Sequence, residues 1–137
     1  MTMASEVETP AAEEELTPPL GELLLQTATD LRERVAVKAL AEEGHILARD
    51  SVRRVLVWEP GDGTARCAWE RLTGHLYGLD LEDGERAFLD LLLSVAGVAH
   101  QTSLVRVMEL GERRLAIILR AMVELSDCDT IAVGRRI

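Results

Sequence analysis

The chain has 137 residues, suited to one domain plus an appendage, and 47% of them are apolar, ample for a core that must be aliphatic because only 3% are aromatic. The formal net charge of −9 sits mainly at the front: residues 1–30 hold seven acids and no base, while residues 31–137 carry 15 bases against 17 acids, so the near-neutral body does not advertise nucleic-acid binding. The longest apolar run, Leu91 to Ala99, is far short of the ~20 residues of a membrane-spanning helix, and no basic stretch followed by an apolar core marks a signal peptide.

Residues 1–18 combine acids and prolines without apolar periodicity, and are expected to form a disordered acidic tail. Residues 19–137 are expected to form a single helical domain. Pro19 or Leu20 suits the start of a first helix. Leu24, Ala28, Leu31, Val35 and Ala39 then follow at helical spacing, and Gly44 is the expected C-cap. The spacing predicts one helix of roughly 24 residues.

Asp50 or Ser51 can cap the next segment, and "PGDG" at 60–63 forces a turn. Two readings compete between them. Residues 51–58 can be a helix, followed by another that Thr64 caps and that carries Ala65, Ala68, Trp69, Leu72 and Leu76 on one side. Alternatively, 54–59 and 64–69 pair as a hairpin, giving a winged-helix-like α+β fold with the hairpin at 54–69. The helical reading is preferred because the stripe to Leu76 outruns the alternation Ala65, Cys67, Trp69.

The segment 84–97 is expected to be the central helix. Arg86, Asp90 and Ser94 recur every four residues as a narrow polar stripe, with Phe88, Leu89, Leu91, Leu92, Leu93, Val95 and Ala96 around the rest. On that reading Leu92 is core and Asp90 is solvated, so Asp90→Ala should be nearly neutral. "TSLVRVM" reads as a short helix capped by Thr102 or Ser103. In the last long helix Leu115, Ile118, Leu119, Met122 and Ser126 define the expected buried stripe. "TIAVGRRI" reads as a short C-terminal arm. Residues 81–95 and 108–122 share Glu-x-Gly-Glu-Arg ahead of an apolar helix; shared helix-start chemistry is preferred to a duplication. The fold class is therefore mainly α: a small bundle of five or six helices around the 84–97 helix.

No chemistry-bearing motif emerges. The three histidines share no zinc spacing with Cys67 or Cys128, and "GDG" is a turn without the strand and helix of a dinucleotide loop. No catalytic, metal or cofactor residue is assigned, and a non-enzyme is expected. The stretch Ala41 to Trp58 invites a helix-turn-helix reading, with Arg49, Arg53 and Arg54 as nucleic-acid contacts. Neither placement of Gly44 puts all the packing residues inward, and Glu42, Glu43 and Asp50 interleave with the arginines, so a packed helical corner is preferred. On the last helix, Arg113, Ile117, Arg120 and Glu124 share the face opposite Leu115, Ile118 and Leu119. Arginines around an aliphatic centre have the makeup of a protein interface, and also of a solvated face with one stray apolar residue.

The expected function is a non-catalytic interaction, regulatory or assembly protein working through a helical surface, its partner another protein or itself. The alternative is a DNA-associated regulator. No small-molecule substrate or membrane partner is evident. Fourteen arginines against the single Lys38 fit the codon habit of a high-GC bacterial genome, and a cytoplasmic location with reduced thiols is expected.

Overall fold

The computed structural model describes residues 19–134 and 136; the expected tail, 1–18, lies outside them. The described residues form six α-helices: α1 (Leu20–Thr27), α2 (Leu31–Glu43), α3 (Asp50–Leu56), α4 (Trp69–His75), α5 (Asp83–Ala96) and α6 (Gly111–Leu125). Two 3-10 segments, Leu76–Gly78 and Leu104–Glu109, join them. The only sheet among the described residues is an antiparallel ribbon of β1 (Val57–Trp58) and β2 (Arg66–Cys67). The mainly helical bundle expected from the sequence is the observed fold.

The long first helix is in fact two. The chain leaves helical geometry at Ala28, whose ψ is 129°. Asp30 then caps α2 by accepting from the Glu33 amide at 2.8 Å, and Glu33 reaches back to the Thr29 amide at 2.9 Å. These local side-chain bonds outcompete continued helix through Ala28–Asp30. Thr27 turns its hydroxyl to the Ala65 carbonyl at 2.7 Å, which ties the break to β2. Gly21 lets α1 lie close on α2: a Cβ there would stand 2.8 Å from the Ala41 Cβ.

Both readings of 51–69 hold in part. α3 is helical to Leu56, and a two-residue ribbon then pairs Val57 with Cys67 and Trp58 with Arg66. Thr64 caps no helix. Its amide donates to Asp62 at 3.0 Å inside the turn, and α4 starts only at Trp69.

Helix α5 begins with a reciprocal capping box between Glu82 and Glu85 and ends at Gly97, whose φ of 88° suits glycine. Phe88, Leu89, Leu92 and Leu93 are fully buried on it. Arg32 reaches across its C-terminus to the Ser94 and Val95 carbonyls at 2.7 and 3.1 Å. Helix α2 packs on both α5 and α6, so the centre is shared between α2 and α5.

The polar stripe on α5 needs correction. Asp90 is only 5% exposed, because the segment after Gly97 folds back over it. His100 Nε2 contacts one carboxylate oxygen, and Arg106 Nε donates to the other at 3.1 Å. Asp90 is a brace holding the Leu104–Glu109 segment onto α5.

The echo between 81–95 and 108–122 also divides in the structure. Gly84 lies inside α5 where a Cβ would come within 2.9 Å of the Glu109 carbonyl oxygen, whereas Gly111 opens α6 with a φ of 77° and open space around it. The two glycines answer different constraints.

Candidate functional site

Arg113, Ile117, Arg120 and Glu124 do share one face of α6, but that face turns inward. Ile117 is 2% exposed and floors a hollow of about 320 Å³ between α2 and α6, beside Val35, Ala39 and Ala121. The charged residues span the seam. Arg113 donates to the Glu42 and Glu43 carbonyls at 2.9 and 2.6 Å, Arg120 pairs with Glu42, and Lys38 donates to Glu124 at 2.6 Å. Arg120 Nη1 also reaches the Val133 carbonyl at 3.5 Å, so the C-terminal arm runs beside this face. The interface expected of these residues is therefore made within the chain. Amphipathic charge on a helix marks an edge of burial as readily as an open surface.

The corner 41–58 is packed. Ile46, Val52 and Leu56 are fully buried, and Gly44 closes α2 with its amide on the Leu40 carbonyl at 3.1 Å. Two buried carboxylates organise it. Glu43, 1% exposed, accepts from the Ile46 amide at 2.7 Å and from Arg114 Nε at 3.0 Å. Glu85, 2% exposed, accepts from Arg49 Nε at 2.7 Å. Of the three arginines considered for nucleic acid, Arg49 is thus engaged by Glu85 and Arg53 pairs with Asp50. Arg54 is exposed and has no carboxylate partner among the described residues.

Burial works to raise the Glu85 carboxyl, but the Arg49 hydrogen bond, the Glu82 amide and the charges of Arg49 and Arg114 outweigh it. Together they hold the group below the usual carboxylate range. A folded value below the unfolded one contributes stability that is present at neutral pH and lost as pH falls through the folded value. Glu85→Gln removes this contribution. The difference in melting temperature between wild type and variant should narrow as pH is lowered from about 6 to about 3, across the carboxylate range. A gap that stays constant with pH would show that Glu85 is not the depressed group.

The surface that the sequence reading missed lies on the other arc of α6. Leu119 and Met122, assigned to the buried stripe, are 38% and 45% exposed, and only Ile118 of that stripe is fully buried. The adjoining segment Leu104–Glu109 buries no side chain: Leu104, Val105 and Met108 are 69%, 59% and 81% exposed. Between the two elements runs a hollow of about 280 Å³, lined mainly by Leu91, Val95, Leu104, Ile118, Met122 and Leu125. Arg32 and Thr102 stand at it, and the Thr102 hydroxyl is buried without a partner among the described residues. One signal was available in the sequence. Leu104, Val105, Val107 and Met108 are more apolar residues than a single turn can bury on one side.

Reactive groups are sparse. Cys67 is half-buried and its thiol is pushed up to about 12 by burial, chiefly, and by the charge of Glu33, which disfavours a thiolate. Cys128 is held below the usual thiol range by hydrogen bonds from the Thr130 hydroxyl and amide. Among the described residues no group of three or more His, Cys, Asp or Glu is placed to hold a metal ion, and no helix is long and apolar enough to cross a membrane.

The fold and its surfaces define a small all-α bundle carrying an uncovered apolar groove. No family model matches the chain, and comparisons with curated proteins and with solved structures give no match.

Proposed function

We propose that this protein is a non-catalytic interaction module, a regulator or assembly factor, that captures a partner polypeptide in the groove between the Leu104–Glu109 segment and α6. One observation carries the reading. Of ten large apolar side chains exposed on the described residues, five (Leu104, Val105, Met108, Leu119 and Met122) lie on these two adjacent elements. Scattered surface leucines need no explanation, but five exposed apolar side chains on two neighbouring elements, with Leu104 and Met122 lining one hollow, do. Two of the five are methionines, whose flexible thioethers adapt to a partner's shape. The groove suits an amphipathic helix that places apolar anchors on Ile118 and Met122 and a polar group near Thr102. A second copy of the chain presenting α6 would satisfy the same chemistry. Both cysteines are free, in keeping with a reducing cytoplasm, and the arginine-rich composition is in keeping with a bacterial source.

The test is the double variant Leu119→Asp, Met122→Asp. Both positions are exposed, so the melting temperature should stay within a few degrees. Sedimentation velocity and pull-down from the host should show self-association or partner capture by the wild type and its loss in the variant. A monomeric wild type that retains the same co-purifying chains as the variant would sink the reading.

A further inference from the structure

A second surface, remote in sequence from the groove, sets an exposed tryptophan beside arginines. Seven of the described arginines lie against a carboxylate, among them Arg49, Arg106 and Arg114. Arg32, Arg34, Arg54, Arg66, Arg71 and Arg136 do not, and all six are exposed. Two of them, Arg66 and Arg71, lie beside one aromatic ring. A surface hollow of about 440 Å³ is lined by Trp58, Arg66, Cys67, Ala68 and Arg71. Arg71 Nη2 donates to the Arg54 carbonyl at 3.2 Å, which brings α4 against the end of α3 and leaves the rest of its guanidinium fork open.

The ribbon explains the arrangement. Trp58 stands directly opposite Arg66, so the two side chains share its outer face with Cβ atoms about 5 Å apart. The other tryptophan, Trp69, is core at 4% exposure, whereas Trp58 is 52% exposed. No arginine covers the Trp58 ring: the one cation–π contact among the described residues is Arg86 over Tyr77. An open indole face thus stands beside two cations, Arg66 and Arg71, that form no ion pair within the chain, with Asp62 near enough to Arg66 to feel its charge.

We propose that this hollow binds a nucleotide unit of single-stranded nucleic acid, with a base stacked on Trp58 and its phosphate held between Arg66 and Arg71. A stacking platform needs an unpaired base, because the faces of paired bases are covered by their neighbours. Guanidinium forks match phosphate oxygens. A carboxylate ligand would use the arginines and leave the indole without a role. Glu59 follows Trp58 in sequence, and Glu33 and Glu70 line the neighbouring hollow beside Arg71. These acids, with the acidic front of the chain, keep the affinity modest. The inference does not rest on the apolar groove, and no residue is shared between the two surfaces.

The experiment is fluorescence anisotropy with the full chain and a labelled oligothymidylate of about ten nucleotides, within the usual site size of single-strand binders. Dissociation constants on the order of 10 µM at ~50 mM salt, weakening as salt rises, are expected. Trp58→Ala should weaken binding about tenfold, the loss of one base–aromatic stack, and Trp58→Phe should restore most of it. Arg66→Ala with Arg71→Ala should weaken binding and lower the log–log salt slope by about 0.7 for each phosphate contact removed. These positions are exposed, and an unchanged melting temperature confirms that each variant is folded. Thymidine monophosphate that competes at concentrations comparable to the oligonucleotide would identify a free nucleotide as the source of the shared chemistry. Competition only at large excess would identify the strand. Absence of binding, equal binding of a blunt duplex, or a Trp58→Ala variant that binds like wild type would overturn the proposal. In the last case the arginines act on any polyanion. Loss of a co-purifying protein in Trp58→Ala, with no oligonucleotide binding by the wild type, would assign the hollow to a protein partner instead and equally overturn it.

Discussion

Glu43→Ala is expected to lower the stability of the fold by about 3–5 kcal/mol, the range for breaking a buried ion pair by removing one partner. The carboxylate is 1% exposed and serves two elements at once. One oxygen holds the Ile46 amide at 2.7 Å and fixes the turn after α2; the other receives Arg114 Nε at 3.0 Å and fixes α6. Its removal leaves a buried amide without an acceptor and takes from Arg114, whose side chain is 20% exposed, the carboxylate it hydrogen-bonds. Glu43→Gln keeps an acceptor for Ile46 and should cost less. Urea unfolding at neutral pH measures both. A loss for Glu43→Ala no larger than that of an exposed pair, under about 1 kcal/mol, would mean that water reaches the site and that the brace is superficial.

Leu92→Ala and Asp90→Ala should be comparably damaging, although the helical pattern alone assigns them opposite roles. Leu92 is fully buried in the centre of α5, and its truncation should cost about 2–5 kcal/mol. Asp90 lies two residues away on the arc that the pattern marks as solvated. It is nonetheless buried and carries His100 and Arg106. Removing it should cost about 3–5 kcal/mol and should release the Leu104–Glu109 segment, which hydrogen exchange at residues 98–109 would report. Asp90→Asn, which keeps an acceptor, should fall between. A neutral Asp90→Ala beside a costly Leu92→Ala would restore the solvated stripe and remove the brace from the fold.

The places where pattern reading and structure part share one cause. The spacing Leu24 to Ala39 is continuous, so it predicts one helix. The break comes from Asp30 accepting from the Glu33 amide and Glu33 accepting from the Thr29 amide, an effect that hydrophobic periodicity does not register. Helix α6 is apolar over much of its girth, with Leu115, Ala116, Ile118, Leu119, Ala121 and Met122 around Ile117. Two arcs are then open to burial. The arc around Leu119 is the more apolar and was the natural choice for the core. The arc around Ile117 won because Arg113, Arg120 and Glu124 find partners along α2, which satisfies charge and packing together. Trp58 and Tyr77, two of the chain's few aromatics, are surface residues at 52% and 70% exposure.

By itself the sequence determined the helical class, the position of α5 as a heavily buried element ending at Gly97, the packed corner at Gly44 and the turn at "PGDG". Each of these follows from local chemistry: apolar spacing at 3.6 residues, capping by acids, and glycines at positive φ. Only the tertiary structure decided which arc of α6 is covered, that Asp90 is a buried brace, and that Arg49 is held by Glu85 while Arg66 and Arg71 flank Trp58. Periodicity orients a side chain relative to its own helix axis. Which side of that axis meets another element, and which charge meets which across a loop, depends on contacts between residues far apart in the chain, such as Arg113 with Glu43 and Arg49 with Glu85.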